Sequence, residues 1–303
     1  MKLTKQMLRP LLISAIAMLF VILLVLYPRQ LNIEYGKFGL ILHPNDQIWS
    51  QYVENITGFF RELFVNHSLG PTRDSQITAS QTIIQSMNNS IVIIIVALIF
   101  GIVFGTLKGI LDFKLSNSKF SILGNWTTWL IQSIPDFMLV LIVQWLTIRH
   151  LRWIPFFPHG DWSDFILPSI LVSIYPIIYL ARITSASLAT QEGQLYIRVA
   201  RAKGIKERVI LFKHMLYNSM ATILTHITPL FVYILSNLLI VEIFSNYPGA
   251  AYRLYLAIDY SRYIGTGPNY EPGVIIGIVF CFMVLLIILQ FFSQIAKRKF
   301  DPR

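Results

Sequence analysis

Residues 90–110 read SIVIIIVALIFGIVFGTLKGI, and Lys108 carries the only charge among these 21 side chains. A helix rises about 1.5 Å per residue, so roughly 20 apolar residues are needed to cross about 30 Å of hydrocarbon. The stretch therefore predicts a membrane-spanning helix.

The composition of the whole chain indicates a membrane protein. Hydrophobic residues make up 55% of the 303 residues, charged residues make up 13%, and the mean hydropathy is +0.60. Ordinary soluble domains carry about 25% charged residues, and disordered chains combine low hydrophobicity with high charge. The single cysteine, Cys281, cannot form an internal disulfide. These values exclude a soluble domain, a disordered chain and a disulfide-stapled secreted domain.

Six runs of similar character predict an all-α membrane protein with six spanning helices in a single domain, residues 1–303. The runs lie approximately at 11–27, 90–110, 126–148, 165–181, 219–242 and 273–292. Pro135, Pro176 and Pro229 fall inside three of them, and we interpret these prolines as bends, because neighbouring helices can satisfy the backbone groups that proline frees. The first run is interpreted as a retained anchor, since no small-residue cleavage site follows Leu26.

The basic residues predict the orientation of the spans. Of the 25 Lys and Arg residues, 17 fall in the two terminal tails and in or at the edge of the two loops that six spans place on the same side. The positive-inside rule therefore predicts that both termini are cytoplasmic. The net charge of +10 is mostly a topology signal. No separate basic patch with interleaved aromatic residues indicates nucleic-acid binding.

The first external loop, residues 28–87, is long enough to suggest structure of its own. After a possible cap at Asn45 or Asp46, apolar residues recur at helical spacing, which predicts an amphipathic helix. These residues are Ile48, Tyr52, Ile56, Phe59, Leu63 and Phe64. Two interpretations fit equally: the helix covers the bundle or lies on the membrane, or it docks an extracellular partner.

Three glycines recur every fourth residue in the second run, at Gly101, Gly105 and Gly109. Small residues at this spacing line one stripe of a helix and let another helix approach closely. We interpret the stripe as a packing seam within the chain, and an interface with another subunit is the alternative.

The cytoplasmic loop at residues 190–214 contains the stretch QLYIRVARAKGIKER at 194–208. We predict two short helices that meet at Gly204, since glycine allows the positive φ that ends a helix. The predicted apolar stripes are Leu195, Val199 and Ala202 in the first helix, and Ile205, Val209 and Phe212 in the second. A basic amphipathic helix pair held by anionic lipid is the alternative.

The segment YIRVARAKG at 196–204, followed by His214 and Asn218, resembles the coupling-loop signature of permease subunits of binding-protein-dependent ABC importers. The branch that it resembles carries oligopeptides, dipeptides or nickel. Gly101 to Lys108, Ser133 to Pro135 and Val241 to Ser245 also agree with this family, and the long first external loop is similar to that of the first of its two permeases.

The resemblance implies a type I importer permease in the bacterial cytoplasmic membrane, with no catalytic residue of its own. It implies a second homologous permease as a heterodimer partner, two ABC ATPase subunits and an extracellular substrate-binding lipoprotein. The chain has no G-x-x-x-x-G-K-[ST] loop, so ATP and Mg²⁺ are expected on the ATPases and no cofactor on this chain. Peptide is the first substrate expected, and nickel or a metal chelate the second.

The resemblance also implies a role for each residue of the coupling loop. Tyr196, Val199 and Ala200 are expected to supply apolar contacts to the ATPase. A polar rim is expected from Arg198, Arg201 and Lys203. Gly204 sets the angle to the following helix, and the coupling segment also includes Ala202 and Ile205.

The sequence departs from the family pattern at four places. Ala221 and Thr222 stand where a proline is usual, and Tyr27 to Gln30 replaces a Pro-Gly-Asp-Pro-like segment. Residues 259–272 are longer than the usual external turn. Asp136 stands where an uncharged residue is usual. These departures concern the substrate and the external partner rather than the coupling loop.

Ionisable residues inside membrane spans are costly, so they indicate functional positions. Asp136 in the third run and Glu242 at the outer end of the fifth are predicted to line the translocation path. For Asp136 the alternative is a protonated or hydrogen-bonded acid at a seam with the partner permease. The histidines lack metal-ligand spacing, so no metal site is predicted. The rival class is an ion-driven secondary transporter or a channel, which needs no coupling loop.

Overall fold

Helices dominate the computed structural model, which describes residues 2–28, 32–36, 39–43, 47–73, 76–116, 124–258 and 270–300. The first elements are α1 (Lys2–Leu26), β1 (Asn32–Gly36), β2 (Gly39–His43), α2 (Ile48–Phe64), α3 (Ala79–Leu115), α4 (Asn125–Ser133) and α5 (Asp136–Arg149). A 3₁₀ turn (Trp162–Phe165) leads into α6 (Ile166–Glu192), and then come α7 (Leu195–Ala202), α8 (Glu207–Val209) and a π-helical segment (Ile210–Leu216). The last elements are α9 (Tyr217–Thr225), α10 (Ile227–Ser245), α11 (Ala250–Ile258) and α12 (Pro272–Phe300).

The chain divides into two compact units. One contains Met1–Met87 and Arg253–Val284, and the other contains Asn88–Tyr252 and Leu285–Arg303. The loop at 190–214, which resembles the coupling-loop signature, lies in the second unit. That the whole chain acts as one domain stays a prediction.

Four described helices are long and apolar enough to cross a membrane, and a bent pair makes five. They are Ala79–Leu115, Trp162–Glu192, Ile227–Ser245 and Pro272–Lys297, with the pair Trp126–Ser133 and Asp136–Arg149. The first predicted run corresponds to a shorter apolar helix, Pro10–Leu26. The helices confirm a multi-pass membrane protein, while the count of six spans stays a prediction.

The third predicted span is broken rather than bent, and this corrects our interpretation of Pro135. The axes of α4 and α5 differ by 91° across Ile134 and Pro135. Ile134 is extended, with ψ of 127°, because a residue before proline avoids the helical region. Pro176 lies inside the continuous helix α6, as expected. Pro229 lies in the first turn of α10, and the fifth run is interrupted at His226 instead.

The long segment 28–87, predicted to be an external loop, contains the predicted amphipathic helix, α2, and a β-hairpin that the sequence did not predict. In the hairpin, β1 and β2 pair antiparallel from Asn32 opposite His43 to Gly36 opposite Gly39. Helix α2 begins at Ile48. The caps predicted at Asn45 and Asp46 lie outside the described residues, as does most of the departure at 259–272.

Helix α2 covers the end of α1. The Tyr52 hydroxyl donates to the Leu23 carbonyl at 2.8 Å, and Asn55 Nδ2 donates to the Leu26 carbonyl at 3.1 Å. The last carbonyls of a helix have no partner inside it, so these two side chains stabilise the end of α1. The contact supports the covering interpretation, and docking of an extracellular partner stays a prediction.

In the second unit, the glycine stripe of α3 packs against α6. A Cβ atom added to Gly101 would lie 3.2 Å from Cβ of Pro176, and one on Gly105 would lie 2.8 Å from Cβ of Leu180. A Cβ on Gly109 would lie 2.5 Å from Cβ of Thr184. Both helices contribute residues at four-residue spacing, so their backbones meet along a seam within the chain.

Candidate coupling site

In the loop at 190–214, the short helix α7 lies before Gly204, and α8 lies after it and continues directly into the π-helical segment. Helix α7 ends at Ala202, and Gly204 has a φ of +74°, which confirms the predicted reversal at this position. The amide of Ile205 donates to the carbonyl of Ala200 at 3.3 Å and closes the end of α7. Glycine reaches this left-handed conformation without the steric cost that a Cβ atom brings.

One face of α7 is anchored in the protein core. Ile197 is 0% exposed and Ala200 is 7% exposed. They pack in a cluster with Ile110, Leu188, Ile210, Leu211 and Met215. Ala200 was expected to contact an ATPase, and its position in this cluster leaves little of its side chain exposed. The contact stays a prediction.

The opposite face of α7 is apolar and exposed. Leu195 is 76% exposed, and Val199 is 52% exposed. Tyr196, Arg198, Ala202 and Lys203 are exposed beside them. The predicted stripe of Leu195, Val199 and Ala202 therefore faces outward. Among the described residues nothing covers it, and an exposed apolar patch of this kind is typical of a protein interface.

Arg201, predicted as part of the polar rim, forms hydrogen bonds within the loop itself. Its Nε atom donates to Oε1 of Glu207 at 2.8 Å, and its Nη2 atom donates to Oε1 of Glu192 at 3.0 Å. The hydrogen bonds to Glu207 and Glu192 raise the pKa of the Arg201 guanidinium above its usual value, so the group stays charged. The bridge joins the ends of α6, α7 and α8.

Tyr196 is held by two polar partners that the sequence did not reveal. Its hydroxyl donates to Oε1 of Gln191 at 2.5 Å and accepts from Nδ2 of Asn218 at 3.0 Å. These bonds tie α7 to the end of α6 and to α9. Asn218 belonged to the sequence signature, but nothing in its spacing indicated Tyr196 as its partner.

Asp136 lies at the break between α4 and α5. It is the first residue of α5 and is half-buried. A carboxylate at the start of a helix interacts favourably with the helix dipole. The break also leaves the Ile134 carbonyl outside a helix, and the Tyr175 hydroxyl donates to it at 2.5 Å. The expected role of Asp136 in the path stays a prediction.

Glu242 is 0% exposed and lies in a polar cluster. Its Oε1 atom accepts from the Ser90 hydroxyl at 2.5 Å, and its Oε2 atom accepts from the amides of Ala251 and Tyr252 at 2.8 and 3.0 Å. Gly249 lies so close that a Cβ atom there would overlap the carboxylate. The expected path role of Glu242 stays a prediction, and this geometry favours a positioning role at the start of α11.

A second buried cluster lies near the C-terminal end of α3, where the sequence analysis had used Lys108 only as a topology signal. Asp112 is 1% exposed and is ion-paired with Lys108. Its Oδ2 atom accepts from the Thr128 hydroxyl at 2.7 Å, and Lys108 Nζ donates to the Gly124 carbonyl at 3.1 Å. The cluster therefore ties α3 to the beginning of α4. In the described ranges, no group of three or more His, Cys, Asp or Glu residues could hold a metal ion.

Comparison with known proteins assigns the chain to a family. Residues 101–303 match the family described as binding-protein-dependent transport system inner membrane component. The glutathione transport system permease protein GsiC of Salmonella typhimurium is 30% identical over 131 residues, which are 43% of each chain. The dipeptide transport system permease protein DppB of Bacillus subtilis is 29% identical over 175 residues, 56% of this chain and 53% of that protein.

A longer match is found with the dipeptide transport system permease protein DppB of Alkalihalophilus pseudofirmus. It is 24% identical over 287 residues, which are 86% of this chain and 82% of that protein. The chain spans about half the length of the first two relatives. Because the family match covers more than half of its residues, the chain belongs to the inner membrane components of binding-protein-dependent transport systems.

Proposed function

We propose that the chain is a permease subunit of an ATP-driven importer in the bacterial cytoplasmic membrane. In this proposal both termini are cytoplasmic, separate ATPase subunits bind ATP and Mg²⁺, and the chain itself catalyses no reaction. Closure of the ATPases moves the permeases between inward-open and outward-open states, as in other rigid-body switches. The family match supports the transport class.

The two-faced geometry of α7 carries this proposal. Ile197 fixes the inner face in the core, while Leu195 and Val199 leave an apolar surface in water. Covering such a surface is favourable by about 25 cal/mol per Å². The Arg201 bridge links α7 to α6, so a displacement of α7 is passed to a membrane-spanning helix. An ATPase groove is the partner that this geometry fits, with Arg198 and Lys203 as its polar rim.

We infer three further partners. A second, homologous permease completes the path as a heterodimer, and a pair of ATPases engages the two coupling loops. An extracellular substrate-binding lipoprotein delivers the solute, and the polar face of α2, with Glu54 and Arg61, is its proposed docking surface. Charged residues on such a surface act mainly on the rate of encounter.

Peptide is the substrate that we propose first, and nickel or a metal chelate second. The relatives named for dipeptide and glutathione transport support a peptide-like solute. Asp136 would contact the cationic end of the solute, and its half-buried position beside the helix break supports this role. If Asp136 is instead an acid at a packing seam, Asp136→Asn leaves the uptake ratio of cationic to neutral peptides unchanged.

Reconstitution tests the proposed function. Proteoliposomes that contain both permeases and the ATPases should take up solute only with ATP on the ATPase side and the binding protein on the other side. Uptake should continue when ionophores collapse the ion gradients. Uptake that stops with ionophores and needs no ATP would establish the alternative, an ion-driven secondary transporter or channel.

A further inference from the structure

One face of α6 carries a row of polar side chains through the membrane-spanning region. Tyr175, Tyr179 and Arg182 are spaced four and three residues apart, so they lie on one side of the helix. Tyr175 and Tyr179 are half-buried, and Arg182 is exposed. The Tyr179 hydroxyl lies 2.7 Å from Nδ1 of His226.

The packing of α6 assigns this row to a different side from the seam. Leu180 and Thr184 face the glycines of α3 and are fully buried. The row is offset from these residues around the helix and remains partly open. Polar side chains in a membrane-spanning helix face a water-filled cavity or a protein partner, because contact with lipid is costly.

The same face continues into a cavity. Beyond Arg182, α6 presents Ser185, Ala186 and Ala189 to a space of about 430 Å³. Phe113 and Trp129 form part of its wall. Cavities that bind small molecules measure about 300–1,000 Å³ and combine apolar walls with a few polar groups.

Arg182 is the charged group of this cavity that is open to a ligand. The other charged lining residue, Glu192, is paired with Arg201 at 3.0 Å. In the part of the chain that the structure describes, the hydrogen-bond partner of Arg182 is the neutral amide of Gln132, at 3.4 Å. A guanidinium has five donors in a planar fork that matches a carboxylate, so most of its hydrogen-bonding capacity remains available.

We propose that this cavity is a recognition site for small solutes that carry a free carboxylate, such as the C-terminal end of a short peptide. Arg182 binds the carboxylate through two donors, Ser185 adds a hydroxyl, and Phe113 and Trp129 cover the apolar part of the solute. Its place at the cytoplasmic end of the transport path rests on the proposed function. The carboxylate preference itself rests on the cavity and Arg182.

A labelling experiment on the full chain, with the rest of its transporter present, tests the site. In a Cys281→Ser background, Ala189→Cys places a thiol in the cavity, and inside-out vesicles expose it to charged methanethiosulfonate reagents. We expect the anionic reagent to react roughly fivefold to tenfold faster relative to the cationic one than at a neutral site. We also expect millimolar dialanine to slow the labelling, and dialanine amide to have no effect.

Three variants separate a carboxylate site from a merely structural arginine. Arg182→Gln should remove both the reagent preference and the protection by dialanine. Arg182→Lys should keep the reagent preference and lose part of the protection, because an ammonium lacks the fork geometry. Arg149→Gln, an exposed arginine at the end of α5, should change neither.

A ratio of anionic to cationic reaction rates no higher than at a neutral site, absence of labelling, or equal protection by dialanine and its amide would overturn the proposed site. None of these readouts requires ATP or uptake. Protection without ATP-driven uptake in proteoliposomes would therefore reject the proposed function and keep the site. ATP-driven uptake without protection would reject the site and keep the function.

Discussion

Arg201 in α7 and Glu207 in α8 form an ion pair at 2.8 Å across the turn at Gly204. Arg201 also reaches Glu192 at the end of α6, at 3.0 Å. The side chains of these three residues are 39 to 68% exposed, and surface ion pairs contribute only about 0–1 kcal/mol to stability. Their importance is therefore expected in the stiffness of the loop rather than in its stability.

Arg201→Gln should leave the melting temperature of the purified complex almost unchanged and reduce the ATP hydrolysis that the loaded binding protein stimulates. The reason is that α7 loses its charged links to α6 and α8. Arg208→Gln, which removes an exposed charge nearby, is the matched control and should retain stimulation. Equal stimulation in the two variants would show that the bridge does not transmit motion.

Gly204 is predicted to act through its backbone conformation alone. A Cβ atom would meet nothing within 4 Å, but φ is +74°. Gly204→Ala should therefore cost about 1–2 kcal/mol and weaken coupling, whereas Gly204→Asn should cost less, because asparagine tolerates the left-handed region. Thermal unfolding and stimulated ATP hydrolysis measure the two effects.

Gly193→Ala provides the control for that comparison. Gly193 is equally open, but its φ of −73° suits any residue. Gly193→Ala should therefore have little effect on thermal unfolding or on stimulated ATP hydrolysis. If Gly204→Ala behaved like Gly193→Ala, the positive φ would have no role in coupling.

The coupling loop shows what a single sequence can and cannot reveal. Gly204 predicted the turn, since only a few residue types adopt positive φ. Which face of α7 is buried could not be predicted from the sequence, because apolar residues occur on both of its sides. Ile197 faces inward and Val199 faces outward, and this difference depends on a core built from helices distant in sequence.

The seam between α3 and α6 should be sensitive to a single methyl group. Gly105→Ala places a Cβ atom 2.8 Å from Cβ of Leu180 and 3.0 Å from the Ile177 carbonyl, so one helix must shift. We expect a loss of about 1–3 kcal/mol, measured by thermal unfolding in detergent.

Gly58→Ala in α2 is the control for the seam, since a Cβ atom there meets nothing within 4 Å. It should be neutral or stabilising by up to about 1 kcal/mol, because alanine favours the helix. Similar melting temperatures for Gly58→Ala and Gly105→Ala would argue against close contact between α3 and α6.

Glu242 is expected to position helices rather than to select solutes. Glu242→Ala should leave the Ser90 hydroxyl and the amides of Ala251 and Tyr252 without their acceptor, and each buried unsatisfied donor costs about 1–3 kcal/mol. Glu242→Gln keeps one oxygen acceptor and should lose less stability. The measurements are the yield and thermal stability of membrane-inserted protein.

Transport by Glu242→Gln distinguishes the two roles. A positioning residue should reduce uptake of cationic and neutral peptides in equal proportion. A selective loss for cationic peptides would instead support a contact along the path.

The sequence could not reveal the partners of Glu242, because Ser90 is 152 residues away. At Pro135 the sequence predicted a bend, and the structure has a break. A proline in a membrane helix permits either a bend or a break, and the outcome depends on neighbours such as Tyr175, which satisfies the freed Ile134 carbonyl. Local signals therefore located the helices, while long-range contacts determined their geometry.

Co-purification of the ATPase with the tagged chain tests the proposed role of the outward face of α7 most directly. Val199→Glu places a charge on the outward face of α7, and Val65→Glu makes the same change after α2, where the side chain is 67% exposed. Covering a charge in an apolar groove is unfavourable. We predict that Val65→Glu retains the ATPase and that Val199→Glu loses it while remaining inserted and folded. Full retention of the ATPase by Val199→Glu would contradict the assignment of α7 as the coupling helix.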